Sequence, residues 1–256
     1  MKNVKFKLLA AGLVLAMALT FSCSSDDGGG GGGGDPQSSI VPSSSSALSS
    51  SSSFVPSSSS SVPSSSSLSG GNTCIADFGE VTIGSQVWAK KNLNCDVEGS
   101  KCYDNNSDNC TKYGRLYDWA TAMALPASCN SSSCSNQVNN PHQGICPSGW
   151  HIPSDEEWTA LTNHVGTTAG TKLKADSDLW SSNGKGTDEF GFSALPGGYG
   201  NSSGGFDLVG NYGYWWSATE INANVAYRRG MNYDFDGVLR SLYDKSTLYS
   251  VRCVQD

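Results

Sequence analysis

Apolar and polar positions divide the chain into three stretches. Residues 8–21, LLAAGLVLAMALTF, form an apolar run preceded by Lys2, Lys5 and Lys7. Residues 24–72 carry almost no large apolar side chains. From residue 73 onward, short periodic segments alternate with turn residues. FGEVTIGSQVWAKKNL alternates around Gly84-Ser85, which predicts a β-hairpin. KYGRLYDWATAMAL places Leu116, Trp119, Ala120 and Met123 at helical spacing, which predicts an amphipathic helix stopped by Pro126. GWHIPSDEEWTALTNHV carries the clearest local signal. Ser154 and Glu157 make a capping box, and Asp155 and Glu156 suit the positive end of the helix dipole. Trp158, Leu161 and Val165 then form the stripe that a core would bury.

The texture changes from about Trp180. Gly, Asn and aromatic residues dominate, with the strand-like runs FGFSAL, GYWWSAT, VAYRRGM, GVLRSLY and LYSVRCV. Asn183-Gly184, Gly204-Gly205 and Asp236-Gly237 supply the turn signals. Helices early and short antiparallel strands late predict an α+β domain over 73–256, long enough for one core.

The apolar run at 8–21 is too short to span a bilayer comfortably and follows a basic start, so residues 1–22 read as a secretory signal peptide. Ser22-Cys23 resembles the lipobox of bacterial lipoproteins, with Leu19 one position further upstream than usual. The resemblance implies acylation of Cys23, with more than one chain, as stable anchoring requires. An ordinary cleaved signal is the alternative. Residues 23–72, a Gly run and an irregular PSSSS repeat, cannot offset the entropy of ordering and read as a disordered tether. Its length corresponds to roughly 160 Å extended and on the order of 35–40 Å as a coil. No Gly-Lys-Ser/Thr follows the Gly run, so no phosphate loop is implied. The expected address is the bacterial envelope, at the outer membrane or cell surface.

The chain carries 16 Lys+Arg against 23 Asp+Glu, a net charge of −7. Lys2, Lys5 and Lys7 balance Asp26, Asp27 and Asp35, so the whole excess falls on the domain. That argues against nucleic acid, whose binding depends on neutralising phosphates. Of nine cysteines, setting Cys23 aside leaves Cys74, Cys95, Cys102, Cys110, Cys129, Cys134, Cys146 and Cys253. An even set in an exported chain reads as disulfides, although sequence does not fix their pairing. The polar loops CYDNNSDNC and CNSSSC suggest Cys102–Cys110 and Cys129–Cys134. Cys146–Cys253 and Cys74–Cys95 complete one arrangement. Zinc is disfavoured, because no CxxC or HxxxH pair occurs and His142, His151 and His164 are scattered.

Three candidate sites remain. NYGYWWSATE, with Tyr212, Tyr214, Trp215 and Trp216, reads either as an aromatic platform for sugar rings or as core. On a strand, Trp215 and Trp216 point to opposite faces. Tyr199, Asn201, Asn211, Asn222, Arg228 and Arg229 could join such a platform. NYDFDG places Asn232, Asp234 and Asp236 before Gly237, which mimics the opening of a calcium loop. Position twelve is Tyr243 instead of Glu, and a hairpin turn at Asp236-Gly237 is the reading turn chemistry favours. For catalysis, no GxSxG elbow occurs and Glu156-Glu157 are explained as capping, leaving Glu220 and Asp207 as the other carboxylates beside the aromatic segment.

GRLYDWATAM, CPSGWHIPSDEEW, DEFGFSALPGGY, YWWSATE and SVRCVQD, in this order, resemble the Fibrobacter succinogenes major paralogous domain. The resemblance spans Phe78 to Asp256. It implies a fold similar to the C-type-lectin-like fold of formylglycine-generating-type domains, with two helices and short antiparallel strands, disulfide-rich. ALPGG and SVRCV carry that second likeness. Lectin-like domains often bind calcium, but their EPN, QPD and WND signatures are absent here. Formylglycine-generating enzymes need reactive cysteines, and the expected disulfides use all eight. The leading expectation is therefore a non-catalytic, surface-displayed binding or adhesion module for polysaccharide or another envelope component. A structural, protein-interaction role and a degenerate formylglycine-generating-type enzyme are the alternatives.

Overall fold

The computed structural model describes residues 78–256. The expected signal peptide and tether, with Cys23 and Cys74, lie outside the described residues. Strands β1 (Glu80–Ile83) and β2 (Gln86–Ala89) form the expected hairpin, with Ile83 paired to Gln86 across Gly84-Ser85. Gly84 adopts φ +65°, a conformation that side chains resist. With β3 (Trp150–His151) and β9 (Val254–Gln255) this hairpin makes a four-stranded sheet in the order β1-β2-β9-β3. Strands β4 (Gly197–Gly200), β5 (Phe206–Val209), β6 (Tyr212–Glu220), β7 (Val225–Asn232) and β8 (Leu239–Asp244) form a second sheet, ordered β5-β4-β6-β7-β8. Its pairings are antiparallel except for β4 with β6.

Four α-helices occur among the described residues: α1 (Ser107–Tyr113), α2 (Trp119–Ala122), α3 (Asp155–Val165) and α4 (Ala169–Leu173). Both halves of the α3 capping box are made: Ser154 Oγ accepts from Glu157 N at 3.2 Å, and Glu157 Oε2 accepts from Ser154 N at 2.8 Å. Trp158, Leu161 and Val165 are buried as the periodicity requires. The α+β expectation is met, with two more helices than expected.

Three sequence expectations need correction. The helix read across 112–125 is broken in two. Gly114, at φ +80°, ends α1, and a Cβ there would lie 2.9 Å from the Leu93 carbonyl. Leu116 and Tyr117 then bridge to Lys101 and Tyr249, and Asp118 starts α2 by accepting from Thr121 N at 2.7 Å. Helical spacing thus mimicked a segment that packs Leu116 and Trp119 by other means. FGFSAL is not a strand, because side chains occupy its backbone. The carbonyl of Phe192 accepts from Arg252 (2.6 Å), that of Ala194 from Trp180 Nε1 (3.1 Å), and Ser193 N donates to Asp188 (2.7 Å). In LYSVRCV only Val254 enters a regular strand, while Leu248, Tyr249 and Ser250 make isolated bridges.

The larger sheet buries both faces of β6. Tyr214 and Trp216 belong to a core with Trp119, Tyr117, Tyr249 and the Cys146–Cys253 region. Trp215 belongs to a second core with Trp88, Trp158, Phe192 and Met231. Cys102–Cys110, Cys129–Cys134 and Cys146–Cys253 are bonded as the loop argument suggested. Cys95 is also in a disulfide.

Candidate functional site

Strand register decides which side chains of the aromatic segment share a face. Opposite residues of an antiparallel pair lie on the same side of the sheet. Tyr212, Tyr214 and Trp216 on β6 are paired with Asn232, Gly230 and Arg228 on β7. Gly230, Arg228 and Ala226 pair in turn with Leu239, Ser241 and Tyr243 on β8. This face carries the candidate site. The opposite face carries Trp215, Arg229 and Arg240, and is covered by α3. There the buried Asp155 carboxylate meets Arg229 at 2.7 Å and Arg240 at 2.8 Å.

At the centre of the candidate site, the Arg228 guanidinium lies 4.2 Å from the Tyr214 ring centre, 5.0 Å from Tyr243 and 5.4 Å from Tyr249. Tyr212 stacks on Tyr214 at 5.3 Å, and Tyr199 packs edge-on to Tyr214 at 6.2 Å. Three tyrosines therefore surround one cation, and two more pack on Tyr214. Gly230 lets Arg228 and Tyr214 lie close against the backbone, since a Cβ there would stand 2.9 Å from Arg228 Nη1 and 3.0 Å from the Tyr214 ring. Tyr243 is 41% exposed, whereas Arg228 is 9% exposed. Tyr199, Tyr212, Asn232, Leu239 and Ser241 are half-buried around the rim. Burial pushes the Tyr214 phenol up to about 12 against the opposing pull of Arg228, so it stays a neutral hydrogen-bonding group. Tyr249 is raised further for the same reason.

The structure brings together Tyr199, Tyr214 and Arg228 of the residues singled out in the sequence. It removes Trp215 and Trp216, both fully buried. Their indole N–H groups are committed inside: Trp215 Nε1 donates to Asn92 Oδ1 and Trp216 Nε1 to the Tyr117 carbonyl, each at 2.8 Å. Neither ring presents a face to solvent. Arg229 is bound into the α3 ion pair on the other face. At 232–236, Asn232 Nδ2 donates to the Tyr212 hydroxyl at 3.0 Å, Asp234 N donates to Asn232 Oδ1 at 3.4 Å, and Asp236 Oδ1 accepts from Thr171 at 2.9 Å. The buried ammonium of Lys174 donates to the Asn232 carbonyl at 2.8 Å, bringing a cation to this loop already. Among the described residues no group of three or more His, Cys, Asp or Glu side chains is placed to hold a metal ion.

Residues 81–255 match the family model of the Fibrobacter succinogenes major domain. The chain belongs to this family. No curated protein and no solved structure matches the sequence.

Within this Fibrobacter major domain, two concavities away from that face gather polar residues. One, of about 230 Å³, is lined by His142, His151, Glu156, Glu157 and Glu220 among others. His151 Nδ1 meets Asp256 Oδ1 and its Nε2 meets Glu157 Oε1, both at 2.7 Å. Burial works to lower the His151 pKa, but the two carboxylates outweigh it and raise it above the usual 6.5. His142 Nδ1 accepts from Asn139 N at 3.0 Å, so its Nε2 donates to the Met123 carbonyl at 2.8 Å. Glu220 forms an ion pair with the fully buried Lys245 at 3.1 Å and accepts from Ser133 and Cys134. Of the titratable groups in this cleft, His151 and Glu157 are tied to each other, His142 to backbone and Glu220 to Lys245. His151 and Asp256 lie 105 positions apart, so no local pattern in the sequence signals that pair. The second concavity, about 380 Å³, includes Lys101, Asn105, Asp118, Asn130, Asn201 and Phe206 in its lining. Asp118, Asn130 and Asn201 each use a side-chain oxygen to hold local backbone.

Proposed function

We propose that this Fibrobacter major domain protein is a surface-displayed, non-catalytic binding module, with polysaccharide as its ligand. It is anchored to the bacterial envelope through Cys23 and held out on the 23–72 tether. The observation that carries this reading is the cluster of tyrosines beside Arg228 on one face of the larger sheet, with Tyr243 exposed and Tyr199 and Tyr212 half-buried. Aromatic faces suit the C–H-rich faces of sugar rings, and half-buried Asn232 and Ser241 offer hydrogen bonds to hydroxyls.

Several features support binding over chemistry. All seven cysteines among the described residues are in disulfides, which leaves none of them for formylglycine-type thiol chemistry. His151 has both ring nitrogens bound to carboxylates, so neither is poised toward a substrate. A C-type-lectin-like fold is consistent with the short strands and the α+β arrangement, and is part of the proposal.

The test is a polysaccharide-binding screen of the full chain, oxidised and folded, with and without calcium. Tyr243→Ala and Tyr212→Ala serve as variants at accessible rings. Saturable binding weakened at least about tenfold in these variants supports the reading. Binding unaffected by both variants moves the site elsewhere. No binding to any polysaccharide favours a protein partner in the envelope.

A further inference from the structure

Strand β8 is the outermost strand of the larger sheet and pairs with β7 alone. Among the described residues it is the longest edge strand, with six residues against four in β1 and β5 and two in β3. β5 is also distorted by Leu208, at φ +66°. An edge strand offers unpaired main-chain N–H and C=O groups to any strand that fits, and proteins usually blunt it with proline, lysine or a bulge. LRSLYD carries neither residue, and its register with β7 runs without a shift.

The hydrogen-bond phase of β8 decides which groups face outward. Lys245 N donates to the Asn224 carbonyl at 2.9 Å, one step beyond the Val225–Asp244 pair. Antiparallel ladders alternate, so Tyr243, Ser241 and Leu239 turn their main-chain groups to β7. Arg240, Leu242 and Asp244 turn theirs to the free edge. The Asp244 carbonyl accepts from Thr247 N at 3.1 Å. The main-chain groups of Arg240 and Leu242 and the Asp244 N–H have no partner among the described residues. Leu242 is 43% exposed, and Arg240 and Asp244 are exposed as well.

Opposite charges flank Leu242 symmetrically. Arg240 lies two positions before it and Asp244 two after, all on one face of the sheet. Arg240 and Arg229 share the single carboxylate of Asp155, so two cations meet one anion there. Asp244 has no cationic partner among the described residues; its carboxylate accepts from Ser246 N at 2.8 Å and Ser246 Oγ at 2.7 Å.

We infer that β8 is a pairing edge for a second copy of this chain, joined antiparallel about a two-fold axis at Leu242. In this register Leu242 faces Leu242 of the second copy, and each N–H donates to the other's carbonyl. The Asp244 N–H donates to the Arg240 carbonyl opposite. Each Arg240 side chain stands across from Asp244 of the other copy, which supplies the second anion. A strand that reads the same against itself, with apolar centre and opposite charges at either end, suits an isologous contact better than a foreign chain. The two sheets become continuous, with both tyrosine faces on the same side. Tyr243 of one copy is then the diagonal neighbour of Tyr243 of the other, within reach of an aromatic ring. The pairing does not depend on the binding function proposed above, and would extend that face across two copies.

The experiment is cysteine cross-linking of the full chain under oxidising conditions, read on a non-reducing gel. Leu242→Cys puts two thiols on directly opposed residues, about 5.5 Å apart at Cα, within the range a disulfide spans. Ile221→Cys, at 45% exposure and off β8, reports random collision. The expected result is a covalent dimer from Leu242→Cys at no less than about tenfold the yield from Ile221→Cys. Adding Asp244→Arg sets like charges opposite each other and lowers that yield about tenfold, whereas adding Asp244→Glu keeps it. Sedimentation velocity of the full, oxidised wild type is the second readout. A dimer that grows with concentration, weakens with salt and is lost in folded Asp244→Arg is expected. Equal yields from the two cysteine variants, or a yield that Asp244→Arg leaves untouched, overturn the inference. A covalent product of Leu242→Cys with a different protein overturns it in favour of a foreign strand. Wild type that sediments as a monomer at every concentration overturns it as well. Should Leu242→Cys not fold, sedimentation decides alone.

Discussion

Trp215 and Trp216 are neighbours in the chain and serve different cores. The pleat of β6 sends one ring to each side of the sheet, and both sides are covered. Trp215→Ala and Trp216→Ala are therefore each expected to lower stability by about 3–5 kcal/mol. Urea denaturation monitored by circular dichroism measures this. A loss under about 1 kcal/mol at either position would contradict the core assignment.

Lys245 and Glu220 close on the Cys129–Cys134 loop from two sides. The ammonium holds the carbonyls of Cys129 and Ser132, and the carboxylate holds Ser133 and the Cys134 N–H. Lys245 also lies 4.5 Å from the Trp119 ring. Lys245→Met leaves Glu220 buried without its cation and is expected to cost about 3–5 kcal/mol. Adding Glu220→Gln should restore part of that loss. A double-mutant cycle with no coupling would show that the pair does not act as a unit.

His151 between Glu157 and Asp256 makes stability depend on pH. The folded pKa of His151 is raised, so its contribution is fully present below its usual 6.5 and is lost as pH rises through the folded value. Glu157 is held below its usual 4.5: burial opposes this, but hydrogen bonds from His151 and Ser154 prevail. Its contribution is present above that value and is lost as pH falls through the lowered one. The thermal midpoint of wild type should exceed that of His151→Gln most between about 4.5 and 6.5. The difference should shrink on either side. Thermal melts of both proteins across pH check this, and a constant difference would count against the clamp.

The disulfides differ in the loops they close. Cys146–Cys253 joins residues 107 apart, Cys102–Cys110 residues 8 apart. Loop-closure entropy assigns about 5 kcal/mol to the long loop and about 2.5 kcal/mol to the short one. Replacing both cysteines of the long-range bridge by Ala should therefore destabilise more than replacing both of the short one. Chemical denaturation of the two variants measures the order, and a reversed order would point to native-state packing as the larger effect.

Local signals read well where the physics is local. The capping box at Ser154 and Glu157, the hairpin at Gly84-Ser85 and the two short disulfide loops each depend on residues a few positions apart, whereas the turn expected at Asp236-Gly237 is a longer loop between Asn232 and Leu239. The helix read across 112–125 failed because Gly114 is squeezed against the Leu93 carbonyl, a neighbour more than twenty positions upstream. FGFSAL failed because Arg252, Trp180 and Asp188 claim its backbone groups. In each case atoms from elsewhere in the fold, a backbone carbonyl for Gly114 and mainly the Arg252 and Trp180 side chains for FGFSAL, competed with the local preference.

The same division holds for the candidate site. The sequence by itself determined that 213–219 is a strand, that Trp215 and Trp216 face opposite ways, and that Tyr199, Tyr214 and Arg228 were candidates for a binding face. Only the tertiary structure decided that both tryptophans are covered, and that β7 and β8 bring Arg228, Gly230 and Tyr243 beside Tyr214. It also decided that Arg229 is neutralised by Asp155 while Arg228 is not. Alternation along one strand fixes direction; burial and charge pairing depend on what the other strands and α3 place on each face.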